Sequence, residues 1–114
     1  MRYRRAWIAA LGVILGLAAA AAGNISGMAQ NYGDASRGAA LAMRLCQDCH
    51  GVRTREVSIN GLAPSFYVLA ETRGLTETAL SVALRTPHRD MPNLMLEDQE
   101  RADIIAHIMT LKGQ

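Results

Sequence analysis

The chain has 114 residues, half of them apolar, with twelve basic and ten acidic side chains and a formal charge of +2. That length suggests one small domain. The near-balanced charge and the lack of a basic cluster offer no case for nucleic-acid binding.

The first segment does not read as globular sequence. Arg2, Arg4 and Arg5 precede an apolar run from Trp7 to Ala22 that ends in small residues. This is the pattern of a secretory signal. Gly27 at −3 and Ala29 at −1 give a cleavage site that makes residues 1–29 the signal and 30–114 the mature domain, with a site near Ala22 as the alternative. The competing reading is an uncleaved membrane helix, the one route to membrane contact. The run falls somewhat short of the ~20 residues that a span needs unless it extends to Met28. Removing residues 1–29 leaves nine basic and ten acidic side chains, a formal charge of −1, so the positive charge belongs to the leading segment. The 85 residues that remain contain one phenylalanine, Phe66, and no tryptophan, so their apolar core is marginal.

The predicted elements are helical. Asp34 or Ser36 caps a first helix through about Arg44 or Leu45, with Ala39, Ala42, Met43 and Leu45 as its apolar positions. Gly38 costs that helix about 1 kcal/mol relative to Ala but permits close approach by a neighbour. Gly51 to Pro64 reads as irregular, with a turn at Asn60-Gly61. Ser65 caps a short helix over Phe66 to Glu71, which Gly74 ends. A third helix runs from Thr76 to about Leu84 and stops at Thr86-Pro87. His88 to Leu96 has no clear period. A last helix from about Asp98 to Leu111 carries Ile104, Ile105, Ile108 and Leu111 as an apolar stripe. Acids at its start and Lys112 near its end agree with the helix dipole. No segment alternates as a strand does, so the fold class is all-α.

The chemistry lies in Cys46-Gln47-Asp48-Cys49-His50. CxxCH is the attachment signature of c-type haem: each thiol bonds to a vinyl group, and the adjacent histidine reaches the iron. A disulfide, a thioredoxin-like pair and half a zinc site are the competing readings. The thioredoxin motif wants a βαβ context, and a structural zinc site commonly wants four protein ligands. Both are missing. One covalent haem c would also relieve the small core by supplying a large apolar plate. His50 is then the proximal iron ligand. Its second ring nitrogen should donate to a backbone carbonyl, with Pro64 as the candidate acceptor.

The sixth ligand has several candidates: Met91, Met95, His88, Met109, Met43 and His107. Methionines often fill core gaps, so each has an ordinary packing explanation. Met91 stands out because it lies in a loop between two helices and is followed by Pro92. Met95 and His88 are its rivals. Methionine ligation generally raises the haem potential.

No conventional catalytic set appears, which favours a carrier over an enzyme. Glu56, Glu71 and Glu77 read as solvated. Asp98, Glu100 and Asp103 read as helix-start and surface acids. Arg53 and Arg55 are candidates for a haem propionate or an acidic partner, against a solvated role.

The mature region resembles the class I monohaem cytochromes c of small bacterial type, from Gly33-Asp34 to Leu111. The resemblance rests on Gly33-Asp34-Ala35-Ser36-Arg37-Gly38-Ala39, on CQDCH, on Met91-Pro92 within RTPHRDMPNLML, and on the closing DQERADIIAHIMTLK. It implies that Gly38 packs against the C-terminal helix, that Pro64 accepts from His50, and that Met91 is the distal ligand. It also implies terminal helices packed around a covalently bound haem. Two departures affect the helix contact. The family usually has an aromatic residue where this chain has Ala42, and often another where it has His107.

The sequence therefore points to a one-electron carrier in a bacterial periplasmic redox chain, with His/Met ligation and redox partner proteins of unknown identity. Alternatives are a haem c subunit of a dehydrogenase or oxidase complex, and a gas sensor with a displaceable distal ligand. Protein made with cytochrome-maturation machinery should retain about one haem mass on the polypeptide after acid–organic extraction, as CxxCH attachment requires. An apoprotein mass would exclude covalent haem.

Overall fold

The computed structural model describes residues 32–88 and 90–114. The predicted signal and its cleavage site lie outside the described residues. Four helices follow in order: α1 (Ala35–Leu45), α2 (Phe66–Glu71), α3 (Glu77–Arg85) and α4 (Asp98–Thr110). No strand occurs among the described residues, and no helix among them is long and apolar enough to cross a membrane.

Each helix begins at a side chain or backbone group suited to its free N–H groups. The Asp34 carboxylate accepts from Arg37 N at 2.9 Å, and the Ser65 hydroxyl accepts from Val68 N at 3.2 Å. Thr76 accepts from Ala79 N at 3.1 Å. At α4 the Glu97 N–H donates to Glu100 Oε2 at 3.0 Å, one half of a capping box. Gly74 and Gly113 follow α2 and α4 at φ +78° and +75°, a region that glycine enters without a Cβ penalty.

Helix α4 is the common wall, since α1, α2 and α3 all pack on it. Ile104, Ile105, Ile108 and Leu111 form its buried stripe against Leu41, Ala42, Phe66, Ala70 and Leu80. Full burial of Ile104 and Ile108 contributes about 1.5–3 kcal/mol each. The buried face of α1 is Gly38, Leu41 and Ala42, while Met43 and Leu45 are exposed. Leu41, absent from the predicted apolar positions, is buried there.

The crossing of α1 on α4 is a backbone contact. A Cβ at Gly38 would lie 1.9 Å from the Asp103 carbonyl oxygen and 3.0 Å from His107 Cβ. Gly33 meets the Ala102 carbonyl in the same way. The glycines thus face the Ala102–Asp103 edge of α4, with His107 a turn further on.

Asp103 is buried, contrary to its reading as a surface acid. Its carboxylate accepts from Asp34 N at 2.7 Å, from Arg37 Nε at 2.8 Å and Nη2 at 3.1 Å, and from Gln99 Nε2 at 2.9 Å. The Arg37 hydrogen bond is the main cause that holds this carboxyl far below the usual carboxylate range, against the opposing effect of burial.

Two outcomes follow. Alanine is the better helix former by about 1 kcal/mol, but a Cβ at Gly38 strikes backbone that cannot rotate away. Gly38→Ala should therefore lower stability by about 1–3 kcal/mol, and Gly38→Leu by more. An unchanged melting temperature for both would contradict the crossing. For Asp103, a depressed folded pKa places its stabilising effect above the unfolded value, and that effect is lost as pH falls through the folded value. Asp103→Asn should thus be clearly destabilised at pH 6–7, and its deficit relative to the parent should shrink on acidification. A pH-independent deficit in denaturant titrations would contradict the ion pair.

Candidate functional site

The CxxCH run continues α1 as a helical turn. Cys49 N donates to Cys46 O at 3.1 Å and His50 N to the same oxygen at 2.9 Å. Residues three and four apart on such a turn share a side. Cys46, Cys49 and His50 are therefore presented together. Both cysteines are free thiols. Burial pushes the Cys46 thiol up to about 11, which disfavours a thiolate and suits an uncharged thioether. Among the described residues no three His, Cys, Asp or Glu side chains gather as a metal site.

His50 Nδ1 lies 2.6 Å from the Pro64 carbonyl oxygen. A carbonyl can only accept, so Nδ1 carries the proton and Nε2 of the neutral ring keeps its lone pair. The His50 ring also packs on Phe66, with centroids 5.7 Å apart at 50°. Phe66 in turn meets His107 at 6.2 Å. His107 is half-buried, and its Nε2 donates to Val52 O at 2.7 Å. It thus occupies the helix seam and ties α4 to the segment after the haem motif.

That segment is more ordered than its composition suggests. Gly51 is buried, and a Cβ there would lie 2.4 Å from Glu56 O. Gly51 N donates to Ser58 Oγ at 3.0 Å, and Gly51 O accepts from Phe66 N at 2.8 Å. The Glu56 carboxylate accepts from Val52 N, Arg53 N and Arg53 Nη1 at 2.7, 2.9 and 3.0 Å. These bonds, the Arg53 N–H first, lower its pKa. Glu56 is therefore an acceptor that closes the turn and not a merely solvated acid. The signal for it was an acid three and four residues after two N–H groups lacking helical partners. Arg53 pairs with Glu56, and Arg55 donates to Gln114 O at 3.2 Å.

Met91 is half-buried, with its N–H on His88 O at 3.2 Å, whereas Met95 is 88% exposed. His88 is exposed and its Nδ1 contacts Thr86 O at 2.9 Å. Met109 packs on the core. Large apolar side chains are exposed in the segments on either side: Val57, Ile59, Leu62 and Val68 after His50, and Val82 and Met95 around Met91. A domain this small seldom exposes so many large apolar groups in the segments flanking one motif without a ligand or partner to cover them.

An all-helical domain with a histidine oriented beside two free thiols, and apolar surface to cover a flat cofactor, is a haem c domain. A family model for cytochrome c matches residues 35–112, and the chain belongs to the cytochrome c family. No curated protein and no solved structure matches it. The domain binds haem c covalently and serves haem-based electron transfer. The free thiols, the Nδ1-protonated His50 and the exposed apolar groups all fit that cofactor. Bound haem supplies a one-electron iron couple.

Proposed function

We propose that this protein is an exported one-electron carrier, not an enzyme, in which Cys46 and Cys49 hold haem c and His50 and Met91 are the axial ligands. The observation that carries the reading is the 2.6 Å contact of His50 Nδ1 with Pro64 O, directly after the two thiols. It fixes the ring and raises the basicity of Nε2, as metal-bound histidines require. The half-burial of Met91 against the high exposure of Met95 favours Met91 as the distal ligand. Arg2, Arg4, Arg5 and the apolar run after them support a bacterial periplasmic location. Transient redox proteins are the partners that suit a domain of this size, through a contact of modest area.

Within this reading, Cys46, Cys49, His50 and Met91 would hold and orient the haem, which would supply the one-electron couple. The Pro64 carbonyl orients the His50 ring through its Nδ1–H and leaves Nε2 to face the iron. The packed α4 wall limits reorganisation.

Replacing Met91 with Ala should abolish the near-red sulfur-to-iron charge-transfer band of the ferric protein and lower its reduction potential. Met95→Ala should keep both. Loss of the band only in Met95→Ala would move the ligand by four residues. A high-spin parent that binds carbon monoxide rapidly would replace the carrier reading with that of a sensor.

A further inference from the structure

Arg101 is the one buried basic residue among the described residues. It lies on α4, one turn from Glu97, with its side chain 8% exposed. Its Nη1 donates to the Leu96 carbonyl at 3.2 Å, and its Nη2 donates to Asp98 Oδ1. Asp98 also receives Arg85 Nη2 at 3.4 Å, from the last residue of α3. Leu96 is partly buried on the core, and its own N–H bonds back to Leu94 O at 3.1 Å. Thus the segment from Met91 to Glu97 leaves no regular hydrogen-bond ladder, yet its carboxyl end is tied at a backbone carbonyl by a guanidinium.

Burying a guanidinium is costly, and a helix N-terminus is an unfavourable place for positive charge. Both effects oppose Arg101 at the first turns of α4. The Asp98 pair offsets them in part, since Asp98 is 78% exposed and solvent screens the attraction. What the residue uniquely contributes is two fixed donors at once, one to a loop carbonyl and one to the carboxylate that also meets α3. Lysine lacks that fork.

We propose that Arg101 is a positioning residue for the distal ligand: through Leu96 O and Asp98 it holds the Met91–Glu97 segment in the register that presents Met91 to the haem iron. The inference rests on the assignment of Met91 above. It adds that ligand retention depends on a side chain ten residues away on a different element. Arg101 touches neither haem nor ligand and acts on the population of the ligated state.

The test measures imidazole affinity of the ferric holoprotein, since imidazole must displace the distal sulfur, together with the near-red band and the melting temperature. The variants are Arg101→Met, Arg101→Lys and Asp98→Asn. Asp103→Asn serves as a control that weakens the α1–α4 contact without touching the segment. Loss of a hydrogen bond to a charged group should raise imidazole affinity about tenfold in Arg101→Met. Arg101→Lys should recover part of the difference, and Asp98→Asn, whose exposed site tolerates change, should show a smaller rise. Asp103→Asn should lower the melting temperature with little change in imidazole affinity. If imidazole affinity merely follows the loss of stability across all four variants, or stays at the parent value in Arg101→Met and Asp98→Asn, the positioning role is overturned. A parent without the band overturns the methionine assignment itself, and the inference with it.

Discussion

Contact between α1 and α4 at Gly38 is the constraint on which the site depends. Because the Asp103 carbonyl lies where a Cβ would be, the two backbones meet directly and not through side chains. Close approach of this kind fixes the rotation of both helices. Helix α1 then delivers the CxxCH turn at its end, and α4 carries His107 and Arg101. The ion pair of Arg37 with Asp103 and the Asp34 N–H bond secure the start of α1 on the same wall.

This packing also accounts for the absent aromatic residues. Ala42 is fully buried without a large side chain, which suits helices already in backbone contact. His107 replaces an aromatic ring with one that both packs on Phe66 and donates to Val52. The contact becomes more polar, and every buried side-chain donor and acceptor among the described residues finds a partner. A satisfied polar contact of this sort specifies geometry more narrowly than an apolar one.

From Val52 the same order passes to the CxxCH side. Gly51 and Glu56 fold the segment after the haem motif into a closed turn, Phe66 docks on it, and Pro64 is brought to His50. His50, the proposed proximal ligand, is thus set by a chain of contacts that runs from His107 on α4 through Val52 to the turn after it. On the other side, Met91 depends on a segment without regular structure, held at its base by Arg85, Asp98 and Arg101. The two proposed ligands are therefore supported by unequal means, a packed turn for His50 and a few charged hydrogen bonds at the base of the Met91 segment.

Much of this was written locally. Asp34, Ser65 and Thr76 marked helix starts, Gly74 and Gly113 marked ends, and the Ile104–Leu111 stripe marked the wall, because caps and periodicity are properties of neighbours in sequence. CQDCH declared its cofactor in five residues, because two thiols and a histidine at that spacing have few other uses. What the tertiary structure decided were the roles of charged residues. Asp103 and Glu56 look like ordinary surface groups in a linear reading. Asp103 is held by Asp34 and Arg37, which only folding brings near. The partners of Glu56 and Arg101 lie within five residues, and it is the folded turn that aims them. A charge reveals its function through desolvation and partners, and neither is visible until the chain has closed around it.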